Sequence, residues 1–205
     1  MHPVPGAFMS RRVLCLVISL GQVMLAIALW WYAPLQVVAA QKAVHARYPG
    51  QEIQLGQEFY LRMTPAPAER FSLALNFPAA VLAGPFSFAF RKPLYESDLR
   101  FLAPKDLAFF FWTGVLWFWI ASVVVPGKDS GDGQRKMPRW VRIAASSCGL
   151  AFALVVGAIA LEPLLKGLSS VPYRQIAPYG MIWSAALGAY FIWRLISELR
   201  PTGYS

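Results

Sequence analysis

Phe71–Phe90, FSLALNFPAAVLAGPFSFAF, decides how this chain is built. The run is uncharged, lies between Arg70 and Arg91, and has the bare length of a membrane-crossing helix, about 20 residues. Asn76, Pro78, Gly84 and Pro85 interrupt it. Each proline removes a backbone N–H, and in lipid no water replaces the lost hydrogen bond. Whether this stretch crosses fixes the number of spans and the side on which every later loop lies.

Composition sets the class. Of 205 residues, 57% are hydrophobic and 14% charged, too little polar surface for a soluble domain and the pattern of an integral membrane protein. Four other apolar runs lie near 13–33, 107–125, 143–162 and 178–196. The first, Val13–Tyr32, ends in Trp30, Trp31 and Tyr32, an aromatic belt suited to an interface. Ser10–Arg12 and Val38–Ala40 weakly suggest a cleaved signal. The apolar run, however, exceeds the roughly 7–15 residues of a signal core, so a retained span is expected. Pro34 allows a kink or restart before a helical extension to Arg47, and Gln51–Met63 alternates weakly, as in a short hairpin.

Net charge is +9. The basic residues flank apolar runs, where Lys and Arg meet the cytosol and anionic headgroups. No aromatic–basic pattern for single-stranded nucleic acid occurs, so the expected partner is the bilayer and not nucleic acid. Charge also orients the chain. If Phe71–Phe90 does not cross, Arg11, Arg12, five basic residues of 128–142, Arg194 and Arg200 share one side, against Lys166 and Arg174 in the short opposing loop. If it crosses, the two faces carry eight and eleven basic residues, nearly no bias. Long segments translocate largely regardless of charge, so the four-span arrangement is preferred.

The expected fold is therefore an all-α membrane domain: a four-helix bundle in the cell membrane with both termini cytoplasmic. A cytoplasmic loop covers 127–142. Residues 41–105 form an extracytoplasmic elaboration in which 71–90 is a non-crossing, re-entrant apolar helical segment.

Polar residues inside apolar runs are the candidates for chemistry. Asn76-Phe77-Pro78 reads either as a broken helix whose amide and freed carbonyls bind a ligand or ion, or as an Asn capping a helix that begins near Pro78. Gln22, midway along the first span, offers a second polar group. Such residues mostly bond across helices. Ala145, Gly149, Ala153 and Gly157 recur every four residues, a smooth ridge for close helix approach. Ser184 and Gly188 offer a second small patch on the last span. The ridge serves either internal packing or an oligomer or partner contact.

Catalytic signals are missing from the sequence. His45, Glu52 and Glu58 fall short of three convergent metal ligands with sensible spacing. Asp129–Gly133 lacks the later acidic ligand of a calcium loop. Cys15 and Cys148 sit in apolar runs and read as small packing residues. Glu162 precedes Pro163 at a span end and reads as an interfacial carboxylate. No metal or cofactor is called for. The order of segments resembles that of small bacterial inner-membrane proteins as a class, a resemblance that implies no activity. The expected function is non-enzymatic, through helix–helix or partner contacts. A small-molecule or ion transporter, or a pore subunit, with its site at 76–85 is the alternative.

Overall fold

The computed structural model describes residues 10–47, 66–89, 104–125, 138–165 and 175–200. These form six helices and, among the described residues, no strand: α1 (Arg11–Arg47), α2 (Pro67–Leu75), α3 (Phe77–Ala89), α4 (Pro104–Val124), α5 (Arg139–Leu165) and α6 (Ala177–Leu199). The hairpin expected at 51–63, with Glu52 and Glu58, and residues 127–137 of the expected loop 127–142 lie outside the described residues, while Arg139–Arg142 already belong to α5. The chain divides into two compact units. One comprises Met1–Leu25 and Leu82–Lys136, the other Ala26–Val81 and Met137–Ser205.

Three helices are long and apolar enough to cross a membrane: Arg11–Ala40, Asp106–Val124 and Arg139–Leu165. Their outward faces carry the side chains that a soluble protein would bury. Leu20, Met24 and Trp31 of α1, Phe111 of α4 and Leu154 of α5 are each more than 60% exposed. Exposed apolar surface on that scale is expected where lipid is the solvent.

These three account for part of the expected four-helix bundle. Its fourth member, 178–196, is helical as part of α6 but is not among the helices apolar enough to cross. Pro178, Tyr179, Gly180, Ser184, Tyr190 and Arg194 dilute its apolar content. The helical extension expected after Pro34 is part of the same helix, since α1 runs 37 residues to Arg47 with Pro34 inside it. At 1.5 Å per residue that is about 55 Å, well beyond the hydrocarbon core of roughly 30 Å. Likewise Glu162-Pro163 does not close the third span, since α5 continues to Leu165.

In the first unit, α1 packs on α4 in antiparallel fashion. Ser19 Oγ donates to the Gly114 carbonyl at 2.7 Å. Two turns of α4 further on, Arg11 donates through Nη2 to the Ser122 carbonyl, near the helix end where carbonyls lack helical partners. Pro104 opens α4, where its missing N–H costs nothing, and Asp106 in the first turn suits the positive end of the helix dipole.

In the second unit, α5 and α6 form an antiparallel hairpin built on small residues. Gly149 lies under the Phe191 ring, Gly157 under Ser184, and Gly180 against Ala160 and Phe77. Ser184 Oγ donates to the Ala153 carbonyl at 2.8 Å, which satisfies a hydroxyl that lipid would leave unpaired. At the open end, Arg142 makes a 3.0 Å ion pair with Glu198, and Arg139 Nε donates to the Glu198 carbonyl at 2.9 Å. Arg194 reaches back one turn to Tyr190 Oη, 2.9 Å away.

Glycine is required where the approach is closest. A Cβ at Gly180 would stand 2.6 Å from Ala160 Cβ and 2.7 Å from the Phe77 ring, whereas a Cβ at Gly188 would meet nothing within 4 Å. Gly180→Ala should therefore destabilise the hairpin by about 1–3 kcal/mol, the usual cost of overpacking. Gly188→Ala should leave the thermal midpoint unchanged or raise it. Thermal unfolding of the two variants in detergent separates these outcomes.

Candidate functional site

The stretch Phe71–Phe90 is not one helix. It is shared between α2 and α3, which meet at Asn76. The start of α2 explains part of this. Ala66 is its N-cap and gives no side-chain cap, and Pro67 follows. Proline has no N–H to satisfy, but Ala68 does, and Gln36 of α1 accepts it through Oε1 at 2.8 Å. A glutamine from another helix thus supplies the cap that the local sequence lacks.

At the junction, Asn76 takes φ −118° and ψ 30° and is 1% exposed. Its backbone N–H and its side-chain Nδ2 both donate to the Ser72 carbonyl, at 3.1 and 3.0 Å. Its own carbonyl accepts from Ala80 at 3.1 Å. Asn76 thus turns its amide nitrogen back onto the helix behind it, rather than serving only the helix ahead. Pro78, in the first turn of α3, cannot donate to the Ala74 carbonyl one turn earlier. Trp183 of α6 fills that place, its indole Nε1 donating to Ala74 O at 3.1 Å. The carbonyl that a proline deprives of its partner is satisfied by a side chain from another helix.

Beside the junction lies a groove of about 570 Å³ between α2 and α6. Phe71, Ala74 and Leu75 form one wall, and Ile176, Tyr179, Ile182 and Trp183 the other. Spacings of three and four residues on both helices give each wall one continuous face. Arg70 and Gln175 stand at its polar end, where Arg70 Nη1 donates to Gln175 Oε1. Arg70 Nε is buried and has no partner among the described residues. The volume falls within the range of about 300–1,000 Å³ usual for small-molecule sites.

The other candidate residues divide. Gly149, Ala153, Gly157 and Ser184 meet in the α5–α6 contact. Ala145 and Gly188 do not: Ala145 is exposed, and Gly188 faces open space. A strict four-residue spacing drifts about 40° per step around a helix of 3.6 residues per turn, so a ridge of four members cannot all face one neighbour. The buried face of α5 alternates instead through Ser146, Gly149, Ala153, Val156 and Ala160. Gln22 belongs to the first unit and Asn76 to the second, and Gln22 Oε1 is buried without a partner among the described residues. Thr113 Oγ1 and Trp112 Nε1 in the same unit are alike in this. No group of three or more His, Cys, Asp or Glu side chains converges to hold a metal among the described residues.

Sequence reasoning missed the groove, Gln36 and Trp183. It also missed a small-residue stripe on α1, where Cys15, Ser19, Ala26 and Ala33 are buried at steps of four and seven. That stripe was visible as a pattern. The two long-range hydrogen bonds were not, because they join residues 32 and 109 positions apart.

Comparison with protein-family models, with curated proteins and with solved structures finds no match for this chain.

Trp183→Phe keeps the ring's packing but leaves the Ala74 carbonyl buried without a donor, which should cost about 1–3 kcal/mol. Leu75→Ile, beside the same junction but outside the hydrogen-bond network, should cost less than about 1.5 kcal/mol. Chemical denaturation in mixed micelles ranks the two.

Proposed function

We propose that this chain is a four-span integral membrane protein that works without catalysis, through contacts of its outer helix faces with a second copy or another membrane protein. The fourth span is α6. Although its sequence is polar for a membrane helix, it lies antiparallel along α5, from Arg142–Glu198 at one end to Ala160–Gly180 at the other. A helix packed along the length of a spanning helix shares its depth. Several of its polar groups are paired within the hairpin, as with Ser184 and Arg194. Outwardly it presents Ile182, Ile192, Trp193 and Ile196.

The observation that carries the contact reading is the set of small residues left outside the hairpin. Ala144, Ala145, Cys148 and Ala151 of α5 are exposed, as are Ala185, Ala186 and Ala189 of α6 beside Gly188. In lipid there is no hydrophobic drive to bring helices together. Smooth faces of small residues are where backbones approach closely enough for packing and weak hydrogen bonds to succeed. The ridge inferred from sequence thus divides into an inner part spent on α5–α6 and an outer part available to a partner.

A carrier or pore subunit is the second reading. It rests on Gln22 and Thr113, buried polar groups without partners among the described residues, in helices otherwise apolar. The Asn76 amide nitrogen, by contrast, is committed to Ser72. Unchanged solute flux through reconstituted Gln22→Ala and Thr113→Val proteins, beside an active parent, removes this second reading.

Cys148 is exposed and free, Cys15 buried, which supplies a native probe. In a Cys15→Ser background, a bismaleimide should cross-link Cys148 to a neighbour in native membranes, and Ala145→Leu or Gly188→Leu should weaken that product several-fold. A protein that stays monomeric and unlinked sinks the contact reading. Topology is a separate measurement with single cysteines at Gly50, Asp98, Asp132, Ser170 and Thr202. Four spans, cytoplasmic termini and a non-crossing 71–90 require 50, 98 and 170 to label from outside and 132 and 202 from inside. Opposite labelling of 50 and 98 would make 71–90 a span, and common labelling of 170 and 202 would remove α6 as one.

A further inference from the structure

We propose that the groove between α2 and α6 is a binding site for an anionic membrane lipid, with its headgroup on Arg70 and an acyl chain along the apolar walls. The site is independent of any protein partner and goes beyond the contact function.

Three features of the groove select this occupant. The first is the cation. A guanidinium carries five N–H donors in a fixed fork. Among the described residues Arg70 spends one of them, on Gln175, and its Nε is buried without a partner. A buried donor on a charged group is costly to leave empty, and an anionic oxygen is its best partner. The second is the wall chemistry. Beyond Arg70, Gln175 and the Tyr179 hydroxyl, the groove is lined by aliphatic and aromatic carbon, and the polar tip of Trp183 is already taken by Ala74. Such walls suit methylene chains and offer a sugar, nucleotide or peptide backbone almost nothing. The third is access. The rim residues Phe71, Tyr179 and Ile182 are 57%, 52% and 65% exposed, so the groove opens sideways, the direction from which a lipid arrives.

Charge complementarity sets this occupant against the alternatives. An apolar helix from a partner would match the walls but leave the guanidinium unpaired. A free phosphate would match the guanidinium but leave the walls in contact with water or unpaired lipid tails. A lipid with an anionic head supplies both, as basic pockets between membrane helices do. Gln175 then has a role beyond accepting one bond. It holds one arm of the fork at the groove's polar end.

The test uses the full chain in nanodiscs of phosphatidylcholine. A trace of lipid with a photoactivatable acyl chain is added, carrying either a phosphatidylglycerol or a phosphatidylcholine head, and adducts are mapped by mass spectrometry. Adducts on peptides containing Phe71, Leu75 and Ile182 are expected, in excess for the glycerol head by roughly tenfold, the worth of one charge-assisted hydrogen bond. Arg70→Gln, which keeps a polar side chain but drops the charge, should bring the two heads to parity. Arg70→Lys should keep most of the preference. Ile182→Trp, on an exposed rim, should lower both adducts by filling the groove. Equal labelling by the two heads in the parent, adducts only elsewhere on the chain, or an undiminished preference in Arg70→Gln would each overturn the proposal. If Arg70→Gln does not elute as a single species, Ile182→Trp decides alone, and unchanged adducts there overturn it.

Discussion

A carbonyl oxygen inside a membrane protein must have a donor, and around residues 71–90 this requirement shapes the chain. Pro78 denies the Ala74 carbonyl its helical N–H, and Ala74 is buried, so a missing donor there would be costly. The indole of Trp183 supplies one instead, at 3.1 Å. The bond fixes more than one group. It holds the end of α2 against the first third of α6 and sets which face of α6 α2 can touch. Asn76 performs the same service locally, putting two donors on the single carbonyl of Ser72. The broken segment is stable because each polar group that the break would strand is met by a residue whose position depends on the rest of the second unit.

The α5–α6 hairpin supplies the rigid surface this arrangement needs. Its contact is made of glycine, alanine and serine because hydrocarbon tails compete equally well for leucine, so only closeness distinguishes a helix neighbour from lipid. Gly149, Gly157 and Gly180 each give up a side chain to let the opposing helix in. Larger residues then face outward, and Leu154 and Trp193 are each 67% exposed. Amphipathic logic is inverted: the inside is small and modestly polar, the outside large and apolar. For this reason the averaged polarity of α6 includes groups already paired inside the hairpin, such as Ser184. Averaging cannot distinguish a serine that faces lipid from one bonded to the Ala153 carbonyl.

That difference marks how far the sequence could be read. Apolar runs located α1, α4 and α5, since length and the absence of charge are local properties. The prolines and Asn76 flagged 71–90 as unfit for a single helix, because a missing N–H is also local. Small residues pointed to α5 and α6 as neighbours. Three features stayed hidden for one physical reason. Gln36 capping α2, Trp183 capping Ala74, and Arg70 meeting Gln175 are contacts between residues far apart in the chain. None has a spacing or composition that announces it. The helix end at Pro163 was misplaced for a related reason. A proline costs a helix one bond, and whether the helix stops depends on what surrounds it.

The groove follows from the break. A continuous helix from Pro67 to Ala89 could have covered α6 along its length. Ended at Leu75, α2 is nine residues long, about 14 Å at 1.5 Å per residue. α6 has 23 residues, about 35 Å on the same measure. A short helix laid against a long one leaves the rest of the longer face clear of it, and the groove lies at the end they share, along Tyr179, Ile182 and Trp183. Arg70 sits near the start of α2, so its guanidinium lies at the polar end of that groove, beside Gln175. Asn76 and Pro78 therefore contribute to the groove without lining it. Their effect is to stop α2 where it stops, and the space this leaves is bounded by carbon on two sides and by a cation at one end.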